Sequence, residues 1–114
     1  MEPEYFVLKY SQFIEEIKRL SSDTQIIIES MLPIDKRHDS DDGGFSNQQI
    51  NILNYYTAQM CEELGVKFLN VAPVMKDANG QAAAGYTFEN DGIHPTDAAY
   101  EKIIAYIRTH TFQN

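Results

Sequence analysis

Apolar residues recur at helical spacing from the first stretch of the chain. Phe6, Tyr10, Phe13, Ile17 and Leu20 follow at steps of four, three, four and three, with Glu15, Glu16, Lys18 and Arg19 mainly opposite them. That period predicts an amphipathic helix over "YFVLKYSQFIEEIKRL", with the five apolar side chains as its buried face. "SSDT" interrupts it, and "QIIIESML" follows from Gln25. Three consecutive Ile without alternation predict a strand over Gln25–Leu32 covered on both faces, ended by Pro33.

The pattern then turns polar. "DKRHDSDDGGFS", from Asp35 to Ser46, is charged and contains a Gly pair, which predicts a surface loop. Ser46 is a natural cap for a helix running to Leu64. Its buried side would carry Ile50, Leu53, Thr57, Met60, Cys61 and Leu64, and Gly65 would end it. "VKFLNV" (Val66–Val71) predicts a second strand. Ala72 to Asn90 reads as loop, with a turn at Asn79-Gly80 and a short helical turn in "QAAAG". Thr96 then caps a last helix with Tyr100, Ile103 and Ile107 buried.

Strands separated by helices of this length imply parallel pairing through right-handed crossovers, hence an α/β layered fold. Two strands make a small sheet, however, and the Ile-rich one reads as the interior of a larger sheet. Either the chain belongs to a bigger unit, or two copies complete each other.

Composition narrows the function. At 114 residues the chain is one domain, 1–114, and 43% hydrophobic content supports a packed core. A net charge of −8, with no cluster of Lys and Arg, opposes contact with nucleic acid or anionic lipid. No apolar run is long enough for a membrane span, and "MEPEYF" lacks the pattern of a signal peptide. The single cysteine, Cys61, excludes an intrachain disulfide and leaves the compartment open. In line with Met60 and Leu64, it reads as an inert core thiol. The neighbours Tyr55 and Tyr56 must face different ways, one to the core rim and one to the surface.

Candidate chemistry begins with His38, Asp39, Asp41 and Asp42. An EF-hand register started at Asp39 puts Gly44 at its sixth position, but Gly43 and Ile50 fall where oxygen ligands are needed. A solvated loop accounts for it better. "DANG" is likewise a turn. The second candidate is "TFENDGIHPTDAAYEKIIAYI". Asp91 and His94 are separated by two residues, one of them Gly92, ahead of Pro95. Such a turn can fold the carboxylate onto the imidazole Nδ1–H, fixing the tautomer and leaving Nε2 outward. That is the orienter and base of a hydrolytic triad. The same spacing also suits an Asp and a His at a helix entrance. A metal reading through Asp91, His94 and Asp97 is opposed by Pro95, which disfavours helical geometry at His94.

The segment "GVKFLNVAPVMKDANGQAAAGYTFENDGIHPTDAAYEKIIAYI" resembles the C-terminal part of the SGNH/GDSL hydrolases, where a strand and loop lead to a D-G-x-H-P sequence before the last helix. "TQIIIESMLPI" resembles the preceding core strand, and Asn47–Leu64 the crossover helix. The resemblance implies a partial three-layer α/β/α, flavodoxin-like fold. It also implies Asp91 and His94 as triad acid and base, with no cofactor and no metal. The family's Gly-Asp-Ser nucleophile block is missing, since none of Ser11, Ser21, Ser22, Ser30, Ser40 and Ser46 follows Gly-Asp.

Two functions follow. One is the base-bearing, C-terminal half of an ester hydrolase acting on an acyl ester, inactive alone. The other is a non-catalytic, truncated α/β module acting through self-association or a partner chain. In either case the chain is expected to form a dimer or to pair with a missing N-terminal half.

Overall fold

The computed structural model describes residues 2–39 and 46–110. Its elements run α1 (Pro3–Leu20), β1 (Ile27–Glu29), α2 (Asn47–Leu64), β2 (Lys67–Leu69), a 3-10 turn (Ala72–Met75) and α3 (Asp97–His110). The two strands pair in parallel, with Ile28 opposite Phe68. The α/β class and parallel pairing match the sequence pattern.

α2 shows why. Ser46 Oγ accepts the Gln49 amide at 3.1 Å, satisfying an N-terminal donor. Gly65, at φ 71°, closes the other end in a left-handed cap. Between them Ile50, Leu53, Thr57, Met60 and Cys61 are buried on one side, as expected.

Three expectations need correction. The first concerns α1, whose packed line is Val7, Tyr10 and Ile14, set against Ile28, Met60 and Cys61. Phe13 is 64% exposed and Leu20 70%, although both belonged to the expected face. α1 carries two overlapping apolar stripes, and α2 covers only one.

The second concerns the strands, which are three residues each rather than the spans Gln25–Leu32 and Val66–Val71. Side chains of α2 replace the ladder. Asn54 bonds the N–H and C=O of Met31 at 2.7 and 3.1 Å. Seven residues earlier, Asn47 does the same for Ile34, at 2.9 Å on each side. Ser30 Oγ accepts the amides of Val71 and Ala72 at 3.0 Å each, which turns the chain out of β2. Buried backbone groups leave the sheet without losing their partners.

The third concerns surfaces. Tyr100 is exposed and Ala99 is buried in its place, while Ile103 and Ile107 pack on the Met75 cluster as expected. Asp35 and Ser46, the ends of the expected surface loop, are buried. Asp41, Asp42, Gly43 and Gly44 lie outside the described residues. Tyr55 is exposed and Tyr56 half-buried, and Cys61 is buried with its thiol pKa pushed up by burial.

The molecule is more open than its length requires. Its radius of gyration is 15.1 Å, against about 13 Å for a compact domain of this size. It exposes 7544 Å², where about 6,300 Å² is usual for its mass.

Candidate active site

The segment after the 3-10 turn folds back on itself. Asp77 Oδ1 accepts the amides of Asn79 and Gln81, and Lys76 bridges Ala82. The Ala82 amide then reaches Ile34 O at 2.9 Å. This joins the segment to the chain leaving β1.

The next loop closes at its neck by a bridge between Thr87 and Pro95. Within it, Phe88 N donates to His94 O at 3.0 Å and Gly92 N to Phe88 O at 2.8 Å. Gly92 has φ 65°, a value that side chains resist. Thr96 Oγ1 donates to Gly85 O at 2.7 Å and lies 3.4 Å from the Ala99 amide, fixing the loop to the start of α3.

Asp91 and His94 meet at the tip of this loop. Asp91 Oδ1 accepts the amides of Ile93 at 2.8 Å and His94 at 3.1 Å. Asp91 Oδ2 lies 2.5 Å from His94 Nδ1. The Ile93 amide first, then the amide and ring of His94, hold the Asp91 pKa down at about 2. An ionised carboxylate only accepts, so Nδ1 carries the proton and Nε2 is left as the basic nitrogen. The ring is 72% exposed. A base so oriented can take a proton from an incoming hydroxyl.

Four of the described serines are used elsewhere. Ser30 and Ser46 hold backbone amides as described. Ser11 Oγ donates to Leu8 O, and Ser21 meets Thr24. Among the described residues no serine is hydrogen-bonded to His94, and Ser40 lies outside them. Also among the described residues, no three His, Cys, Asp or Glu converge as a metal site. Asp39, weighed above as a ligand, accepts from Asn47 and Gln81 instead.

Sequence reasoning missed a second pair. His38 Nδ1 lies 2.8 Å from Asp35 Oδ1, which also accepts the His38 amide at 3.1 Å. Arg37 Nη2 donates to Asp35 Oδ2 at 2.8 Å. Burial pushes the Asp35 pKa up, but Arg37 and the ring and amide of His38 outweigh it and hold it at about 2. The available signal was a repeat of spacing, since "DKRH" and "DGIH" both place Asp three residues before His.

This fold and loop define a class. Residues 1–102 match the GDSL-like Lipase/Acylhydrolase family, and the chain belongs to it. A Streptococcus pneumonia protein provisionally described as a platelet activating factor superposes with a TM-score of 0.85 at 22% identity, over 98% of this chain and 53% of that one. The esterase domain of a zebrafish retrotransposon ORF1 protein gives 0.73 at 24%, over 96% and 58%. A GDSL-like lipase from Bacteroides thetaiotaomicron gives 0.73 at 22%, over 95% and 51%. Among curated proteins nothing matches. The chain thus has the flavodoxin-like α/β fold of these structures and spans about half their length.

Proposed function

We propose that this chain is the acid–base half of a serine ester hydrolase, with His94 as general base and Asp91 as its orienting acid. The Asp91–His94 contact carries the reading, because it fixes the tautomer that leaves Nε2 basic on an exposed ring. Membership of the lipase/acylhydrolase family supports it.

The chemistry needs a serine from outside this chain. Its hydroxyl attacks the carbonyl carbon of an acyl ester while His94 Nε2 takes the proton. Asp91 stays charged and stabilises the imidazolium. His94 then returns the proton to the departing alkoxide, leaving an acyl-serine, and water repeats the cycle to release the acid. The open shape, the uncovered stripe of α1 and a β1 with no third strand among the described residues favour a partner on that side. We propose the complementary half of the fold as that partner. A second copy is the other occupant, which light scattering of the isolated chain would reveal.

The test extends the coding region upstream until a Gly-Asp-Ser block is in frame and assays short-chain acyl esters. His94→Ala in the extended protein should lower turnover by a thousandfold or more, on the order seen for triad bases. A loss below about tenfold would place the base elsewhere. The 114-residue chain alone should give only background hydrolysis.

A further inference from the structure

The loop that carries Asp91 and His94 is closed at its neck by the Thr87–Pro95 bridge, and its tip is met by a second segment. Gly92, between the two residues, meets the chain leaving β1. The Asp35 amide donates to Gly92 O at 3.1 Å. The side chains come closer still, since a Cβ built on Gly92 would fall 2.1 Å from His38 Nδ1 and 2.5 Å from Asp35 Oδ1. Asp35 and His38 therefore fill the space directly behind the tip. They are themselves fixed, because Asp35 is buried, takes the ring and amide of His38, and is held by Arg37 on its other oxygen. Thr87, at the loop's neck, adds a long contact of 3.5 Å to the same carboxylate.

From this juxtaposition we infer that Asp35 and His38 are positioning residues for the Asp91–His94 pair, a buttress against Gly92 that keeps the His94 imidazole on the Asp91 carboxylate. The inference rests on the proposed role of that pair and deepens it. It assigns no contact with substrate to either residue. It explains why two Asp-x-x-His units, each joining a histidine's amide and ring to one carboxylate, lie against each other, since the inner one is shielded and charge-paired while the outer one is exposed. It also gives Gly92 a second duty. Besides its positive φ, only the absence of a side chain lets the inner ring approach.

Imidazole nitrogen–proton NMR on the 114-residue chain tests this. In the unaltered chain His94 should be the Nδ1–H tautomer with a slowly exchanging ring proton. His38→Ala should speed that exchange by roughly tenfold, the effect of losing about one hydrogen bond behind the loop. Protection of core amides in α2 should not change. His38→Gln should restore most of the slow exchange, because its side-chain amide can donate to Asp35. Asp35→Asn should act in the same direction as His38→Ala. Should that variant fail to fold, the position 38 pair decides alone. Unchanged His94 exchange in folded His38→Ala would overturn the inference. So would an equal rise at core amides, which would mean general destabilisation. An Nε2–H tautomer in the unaltered chain is a different failure, overturning the catalytic reading of Asp91 and His94 itself.

Discussion

Asp91 and His94 are joined twice, once through the histidine's own amide at 3.1 Å and once through its ring at 2.5 Å. The first bond shapes the turn and the second orients the imidazole, so one carboxylate sets both the backbone and the chemistry of the site. That arrangement separates what a substitution at 91 does to structure from what it does to function.

Asp91→Asn should keep the turn, because an amide oxygen can still accept from Ile93 and His94. The amide nitrogen then faces Nδ1 as a donor, and the ring should switch to the Nε2–H form. Nitrogen NMR of the imidazole reads the switch directly. In an assembled hydrolase turnover should fall by on the order of ten-thousandfold, as for other triads with this change.

Acid should destabilise the chain through two carboxylates. Asp91 and Asp35 both sit at about 2 in place of 3.8. A lowered folded-state pKa means the unfolded chain binds more protons as pH falls, so the contribution is complete above the ordinary carboxylate value. It is lost as pH drops from 3.8 towards 2. Urea midpoints measured across that window should fall less steeply in Asp35→Asn than in the unaltered chain. Asp35 is the better shielded of the two and should account for the larger part.

Gly92→Ala should be far worse than alanine at other turns. All four of Gly65, Gly80, Gly85 and Gly92 have positive φ, but only at Gly92 does a Cβ meet other atoms within 4 Å. Gly80→Ala and Gly85→Ala should cost about 1 kcal/mol for the backbone alone. Gly92→Ala should cost several times that, or fail to fold, as thermal melts would show.

On α1, adjacent residues should behave oppositely. Ile14 is fully buried and Phe13 is 64% exposed. Ile14→Ala should lose about 2–5 kcal/mol. Phe13→Glu should leave the isolated chain's melting nearly unchanged while abolishing any assembly through that stripe, as seen by light scattering. Equal losses at both positions would mean the outer stripe is part of this chain's own core.

Asn47→Ala should be more costly than Asn54→Ala. Each leaves a backbone N–H unpaired, at Ile34 and Met31 respectively, for about 1–3 kcal/mol. Asn47 is buried and also ties Asp39 to the start of α2. Chemical denaturation of the two variants gives the comparison.

What the sequence made legible was local. Ser46 and Gly65 mark the ends of α2 because capping is decided within a few residues. Asp91 and His94 were visible for the same reason, three positions apart on one turn. The working stripe of α1 was not, because Val7–Tyr10–Ile14 and Phe6–Phe13–Leu20 both obey helical spacing and only the position of α2 chooses between them. Strand lengths were overestimated because Asn54 at Met31 and Ser30 at Val71 take over bonds that a ladder would make. Asp35 and His38 were hidden because their partner, Gly92, lies more than fifty residues away and has no side chain to suggest a contact.

Cys61 gives the fold a clock of its own. It is the one cysteine in the sequence, 1% exposed on the face of α2 that packs against α1, with its thiol pKa raised by burial. An alkylating reagent can reach it only when α1 lifts away, so the rate of labelling at low reagent excess counts those openings one by one. A partner seated on the far side of α1 would slow the count without touching the sulfur, which turns a silent core residue into a gauge of whether such a partner is bound.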